Sequence, residues 1–307
     1  MALHPDLPRV VAAMRAGGYW DRVMSGGPDL ERVQVWLRRL AGELDAPTDV
    51  ALQAPTYPCF PGLEHAPFHD GAQPAATAAL EGAFETILAE TLALPADAPR
   101  RYTATAPRGG VLGRIKDLIK PRWIARGWTV HLFHHMGVDF GPGDGRCERT
   151  RATIASLPRV CTDHPWGEAL LSIQQPGSSL PPHCSVDNLR LRCHLGLRIP
   201  DGAGIRVGRE ERTWSEGRCL WFEDSIEHEV WNRGESARLV LIVDLWHPGL
   251  TDVETRAITA GFRKAEVRRV FMHSRVAHLD APDALRTYVE AEIARQESDP
   301  LLREYWG

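Results

Sequence analysis

Hydrophobic spacing divides the chain into three parts. Near the N-terminus Val33, Trp36, Leu37 and Leu40 recur at helical intervals, while Arg32, Arg38, Arg39 and Glu43 fall largely on other faces. That spacing predicts an amphipathic helix, with Asp29 as its N-cap. Such a segment serves as a packing helix, a docking arm or part of a dimer contact. A second helical run carries Leu80, Phe84, Ile87, Leu88 and Leu92 and ends before Pro95 and Pro99, since proline cannot continue a helix. Between the two, ALQAPTYPCFPGLEHAPFHD is proline-rich without helical period, which reads as an ordered loop or edge strand.

From Gly127 the period changes. Trp128, Val130 and Leu132 alternate as in a strand, and GVDFGPGDG ends it as a loop. Short strand-like runs follow, with turns at Pro176-Gly177, Asp201-Gly202 and Arg233-Gly234. Many short strands at such spacing predict a mainly β sandwich or barrel. In DNLRLRCHLGLRIP, alternation puts Leu189, Leu191, Cys193, Leu195, Leu197 and Ile199 on one face. Arg190, Arg192, His194 and Arg198 take the other, which by itself reads as the solvent face of a half-exposed strand. Beyond Pro248 the helical pattern returns. Thr251-Asp-Val-Glu254 is a capping box, and Asp280 with Pro282 opens a helix carrying Leu285, Tyr288, Val289 and Ile293. The expected organisation is helical over 1–50, β-rich over 51–250 and helical again over 251–307.

Composition narrows the classes. With 307 residues, 43% hydrophobic and 25% charged, the chain is long enough for one large core or two small ones. The net charge of −4 and the lack of a Lys/Arg run argue against nucleic acid. No apolar run reaches the length of a membrane span, and MALHPDLPRVV has no secretory pattern. Six cysteines without CxxC spacing read as reduced thiols of a cytoplasmic protein. Oligomeric state is not legible.

Three residues carry the first chemical signal. His183 and His228 precede or sit within strand-like segments, and Arg238 follows the second by ten residues. Neutral imidazoles suit divalent iron and leave positions open, while a guanidinium grips a carboxylate at two points. Histidines 131, 134 and 135 look like a metal cluster, but a strand points His134 and His135 to opposite faces. They read as polar surface or substrate cleft. Asp244, flanked by apolar residues, reads as a buried, hydrogen-bonded structural group.

The wording around these residues is more specific. RLRCHLGLRIP, RTWSEGRCLWFEDSIEHEVWN, RLVLIVDLWHP, FPGLEHAPFHD and SIQQPGSSLPPH resemble the aspartyl/asparaginyl β-hydroxylases, a family of iron- and 2-oxoglutarate-dependent oxygenases. The likeness runs roughly from residue 58 to 250. It implies a double-stranded β-helix (a cupin-like jelly roll) with flanking α-helices at both ends. It further implies Fe(II) on His183 and His228, molecular oxygen, and 2-oxoglutarate held at Ser172, Arg192, His194 and Arg238, with Trp128 beside it. The wider superfamily uses His-x-Asp, whereas here Ser185 stands two residues after His183. The resembling family also lacks that acid, and water is taken to fill its place; Asp187 is the nearby rival. The implied activity is hydroxylation of a C–H bond, foremost the β-carbon of Asp or Asn in a peptide or protein, with peptide natural-product tailoring as one form. An acyl-chain or free amino-acid hydroxylase of the same family is an alternative, as is a non-catalytic jelly-roll binding module.

Overall fold

A computed structural model describes residues 5–47, 50–101, 127–141, 145–276 and 282–306. The strands are β1 (Arg100–Arg101), β2 (Trp128–His135), β3 (Val138–Asp139), β4 (Ala169–Gln174), β5 (Ser179–His183), β6 (Arg190–Arg198), β7 (Ala203–Val207), β8 (Glu210–Arg212), β9 (Cys219–Phe222), β10 (His228–Asn232) and β11 (Arg238–Trp246). They form two antiparallel sheets. The larger runs β1-β2-β4-β11-β6-β9, with β3 on β2; the smaller runs β5-β10-β7-β8. From β4 onward the chain passes back and forth between them: β4, β6, β9 and β11 go to one sheet, and β5, β7, β8 and β10 to the other. This is the jelly roll expected.

Strand alternation builds two cores. Val130, Leu170, Val240 and Ile242 meet Leu180, Ile205, Val207 and Val230 between the sheets. On the outer face of the larger sheet, Leu171, Leu191, Cys193, Leu195, Leu197, Leu241 and Val243 pack under helices Pro74–Gly82, Phe84–Leu92 and Glu148–Ser156. β6 is therefore covered on both faces, and this corrects the solvent-facing reading of its polar side. Arg190 and His194 are buried and Arg192 is nearly so; of the polar side chains on that face, only Arg198, at the strand's end, is exposed.

The two chain ends share a core. Val33, Trp36, Leu37 and Leu40 are all buried on helix Glu31–Leu40, as their spacing requires. Trp36 packs 5.8 Å from Phe60 and 5.6 Å from Phe262 of helix Asp252–Arg263, and Tyr19 stacks on Trp306 at 5.2 Å. Thus the first helices act as packing elements. Asp29 is not their cap: Gly27-Pro28 starts a 3-10 turn, Pro28–Leu30, that carries Asp29 inside it and makes Leu30 the N-cap of the helix. The capping box forms as expected, with Glu254 N donating to Thr251 Oγ1 at 3.2 Å and Thr251 N donating to Glu254 Oε2 at 2.8 Å. Arg32 Nε donates to the same carboxylate at 2.7 Å and ties the two ends together. Helix Pro282–Gln296 buries Leu285, Val289 and Ile293, while Asp280 lies outside the described residues. Helix Ala265–Val276 was not expected from the spacing. All six cysteines are free thiols, and no described helix is long and apolar enough to cross a membrane.

Candidate active site

The antiparallel register of β5 and β10 sets His183 opposite His228, their ring centroids 4.2 Å apart and tilted by 50°. His183 Nδ1 lies 2.8 Å from the Pro181 carbonyl and His228 Nδ1 lies 3.0 Å from the Ile226 carbonyl. A carbonyl only accepts, so each Nδ1 carries the proton and each Nε2 keeps its lone pair. His228 is buried and the His183 side chain reaches the surface, yet the atoms crowded around each ring lower the pKa of both, and for His228 the neighbouring His183 adds to it; a metal needs this neutral form. No group of three or more His, Cys, Asp or Glu side chains suited to a metal occurs among the described residues. Asp187 is engaged elsewhere: its Oδ1 accepts from Arg190 Nη1 at 2.6 Å and from Leu189 N at 3.1 Å.

Between the sheets a second group of polar side chains gathers around a buried arginine. Alternation sends Arg238 of β11 and Ser172 of β4 inward, and Arg238 Nη2 donates to Ser172 Oγ at 2.9 Å. Trp128 Nε1 donates to the same oxygen, also at 2.9 Å. With both lone pairs engaged, the Ser172 hydroxyl hydrogen is left to donate. Arg238 is buried, and its Nε and Nη1 have no partner among the described residues. Burial alone pushes its pKa down to about 9. An uncompensated buried guanidinium is costly unless an anion joins it.

Trp214 lies under Arg238, a placement its position in the sequence did not announce. Arg238 lies over its ring at 4.7 Å, and its Nε1 donates to His194 Nδ1 at 3.2 Å. Indole N–H can only donate, so His194 carries its own proton on Nε2. That Nε2–H is buried and unpartnered among the described residues. Burial, then the charges of Arg238 and Arg192, hold His194 well below the usual histidine pKa, which keeps it a neutral donor. The one available signal was a large aromatic inside the polar turn RTWSEG. Gly196 lets that turn close: a Cβ there would stand 2.5 Å from the Ser215 carbonyl oxygen. Gly196→Ala is expected to cost about 1–3 kcal/mol of stability. It should also shift Trp214 away from Arg238; thermal unfolding and tryptophan fluorescence check both.

Arg192 is held by two carboxylates. Its Nε and Nη2 each lie 2.8 Å from Asp244, in a two-point pair, and Nη2 also reaches Glu168 at 3.1 Å. Nη1 takes no part in these bonds. Asp244 is buried and also accepts from Glu168 N at 3.0 Å, matching its structural reading. Arg190 joins the same cluster, and Asp187, Asp224, Asp244 and Glu168 together outnumber the two arginines. Burial pushes Asp187 and Asp244 above the ordinary carboxylate range despite the arginines. Asp224 Oδ1 is buried without a partner among the described residues. Free imidazole lone pairs beside surplus negative charge fit a divalent cation.

The polar-surface reading fails for His131 and His135. Both are buried, and His135 Nδ1 meets Glu168 Oε1 at 3.0 Å. A register irregularity in β2 between Leu132 and His134 reshuffles which side chains face inward.

The loop before the first sheet clasps the segment leading to His228. Gln53 and Phe68 bridge to Ile226 and Phe222, and His65 Nδ1 lies 2.8 Å from Glu223 Oε1. Burial raises the Glu223 pKa, but hydrogen bonds from His65 and Ser225 and the His69 ring 3.9 Å away outweigh it and bring it down to about 2. The same contact raises His65. The Glu223 contribution is full above its unfolded pKa near 4.5 and is lost as pH falls toward 2. It is on the order of 3 kcal/mol. The His65 contribution runs the other way, present at low pH and lost as pH rises through its raised pKa. Wild type should therefore exceed Glu223→Gln in stability near neutrality, and the gap should close on acidification. A gap independent of pH would contradict this.

The fold is a jelly roll that sets two histidines side by side and buries an arginine without a counter-charge among the described residues. The sequence model for "Aspartyl/Asparaginyl beta-hydroxylase" matches residues 81–248, over half the chain, and the chain belongs to that family. "Aspartyl/asparaginyl beta-hydroxylase" of Mus musculus is 50% identical over 120 residues, covering 38% of this chain and 16% of that protein. "Aspartate beta-hydroxylase domain-containing protein 2" of the same organism is 37% identical over 134 residues, covering 43% of this chain and 39% of that protein. The matches thus span well under two thirds of these relatives. Among solved structures, a predicted oxalate decarboxylase from Thermotoga maritima overlaps 39% of this chain and 80% of its own, at 11% identity and a TM-score of 0.25.

Proposed function

We propose that the chain is an Fe(II)- and 2-oxoglutarate-dependent hydroxylase acting on the β-carbon of Asp or Asn in a peptide or protein. The observation that carries the reading is Arg238: a buried guanidinium with two unpartnered nitrogens, near enough to His194 to act on its pKa, as His228 is too. It supports a dicarboxylate cosubstrate, because one end needs a guanidinium and the other a metal. Arg238 and the Ser172 hydroxyl grip the distal carboxylate. His194 donates its Nε2–H to an oxygen at the metal-bound end, and Arg192 Nη1 adds positive charge there. Trp128 and Trp214 wall the pocket and exclude water, which strengthens each of these contacts. His183 and His228 hold the iron through Nε2, each ring oriented by its backbone carbonyl. Bound iron with the cosubstrate supplies oxygen activation. The Asp/Asn assignment follows the family and the names of its members.

The test is iron-dependent decarboxylation of 2-oxoglutarate, followed by mass spectrometry of Asp- and Asn-containing peptides. Gain of one oxygen on Asp or Asn is expected. Oxygen incorporation only into free amino acid or an acyl chain overturns the substrate. Absence of decarboxylation with iron and peptide present overturns the activity.

A further inference from the structure

We propose that Arg190 is the positioning residue of the two-histidine site: its guanidinium locks the segment after His183 to the segment before His228 and thereby sets the spacing and tilt of the rings. The inference rests on the proposed role of those histidines as metal ligands. Arg190 is about 1% exposed, and each of its nitrogens is used. Nη1 donates to Asp187 Oδ1 at 2.6 Å; Nη2 donates to Ser185 Oγ and lies 3.3 Å from Asp224 Oδ2; Nε donates to Asp244 Oδ2 at 3.2 Å. Ser185 and Asp187 follow His183, Asp224 precedes His228, and Asp244 lies on the central strand β11. One planar group thus joins both ligand-bearing segments to the sheet.

The ladder alone does not fix this geometry. The β5–β10 pairing is irregular between His228 and Val230, immediately beside the ligand. Below it, a backbone bond from Ser185 N to the Asp224 carbonyl at 2.7 Å joins the two segments. Each imidazole leans on a carbonyl of its own segment, so any shift between the segments carries the rings with it. Arg192 also nears Asp224, at 3.4 Å, yet makes no contact with Ser185 or Asp187. A lysine keeps the charge, but its single nitrogen cannot meet four groups spread around a plane. The arrangement favours geometry over stability, since buried ion clusters of this kind add little net stability against apolar replacements.

Co(II) serves as the probe, because its affinity and visible ligand-field bands report ligand geometry without turnover. Wild type, Arg190→Lys, Ser185→Ala and the control Arg268→Lys are titrated with Co(II) and melted. Arg268 is equally buried but holds Met136, Arg263 and Gln296 away from the histidines. Arg190→Lys should weaken Co(II) binding about 10–100-fold and shift its bands, the usual loss when the support of a ligand is removed. Ser185→Ala should lose less, in the same direction. Arg268→Lys should melt earlier with Co(II) affinity and spectrum unchanged. Wild-type affinity and bands in folded Arg190→Lys would overturn the proposal, as would an equal Co(II) loss in Arg268→Lys. Should Arg190→Lys not fold, Ser185→Ala decides, and an unchanged affinity and spectrum there overturns it. If wild type binds no Co(II), or His228→Ala binds it as tightly, the metal-site reading itself fails, which is a different outcome from intact wild-type binding that ignores Arg190.

Discussion

Replacing Arg238 by lysine is expected to raise the 2-oxoglutarate requirement by two orders of magnitude or more, about 3 kcal/mol or above. The guanidinium is planar, lies over Trp214 at 4.7 Å, and already spends Nη2 on Ser172. Nε and Nη1 remain unpartnered, and the second hydrogen of Nη2 beside either of them offers a carboxylate two parallel donors. An ammonium offers no such pair of parallel donors, and it releases the Ser172 oxygen that also accepts from Trp128. Arg238→Met gives a sharper signature. It should abolish cosubstrate binding yet leave the ligand-free protein as stable as wild type or more so, because the charge it removes has no counter-ion among the described residues. Wild type, in turn, should gain about 2.7 kcal/mol at 2-oxoglutarate a hundredfold above its dissociation constant. Calorimetry with and without cosubstrate checks both variants. A wild type that melts at the same temperature with and without saturating 2-oxoglutarate and metal would contradict the assignment.

The legible part of this molecule was what lies within one element or one motif. Period two in Leu189–Ile199 fixed which β6 side chains share a face, and that face, Leu191 to Leu197, is buried as expected. The helical spacing of Val33 to Leu40 and the Thr251 capping box held for the same local reason. What the pattern could not say was which layer covers each face. Arg190 and Arg192 looked solvent-facing because their counter-ions lie up to 54 positions away, on β11 and the turn before β10. His135 and Glu168 meet across 33 positions and carry no local sign of one another. Trp214 was invisible for a related reason: it sits in a turn, and its role exists only once β6 and β11 bring His194 and Arg238 over it. Asp29 failed as a cap because Pro28 captured the preceding turn.

Either histidine variant, His183→Ala or His228→Ala, is expected to lose divalent-metal binding and iron-dependent turnover while staying folded, whereas Asp187→Ala should destabilise the fold and weaken metal binding only as far as it loosens Arg190. The imidazoles hold only light structural duties: each donates one Nδ1 hydrogen bond to a carbonyl two residues earlier. Removing one ring leaves a single nitrogen ligand, too little for a two-histidine site that already lacks a protein carboxylate among the described residues. Asp187 is the opposite case. It is fully buried and bound to Arg190 at 2.6 Å, so its loss leaves a guanidinium short of one counter-charge inside the protein. Breaking such a pair typically costs about 3–5 kcal/mol, moderated here because Asp224 and Asp244 still face Arg190. Its melting temperature should fall by several degrees, on the order of 2–4 °C per kcal/mol, with metal-dependent turnover retained at temperatures where it stays folded. Metal titration and thermal unfolding on the three variants decide the matter. Asp187→Ala losing metal as completely as His228→Ala would make the carboxylate a ligand and the site a three-residue triad.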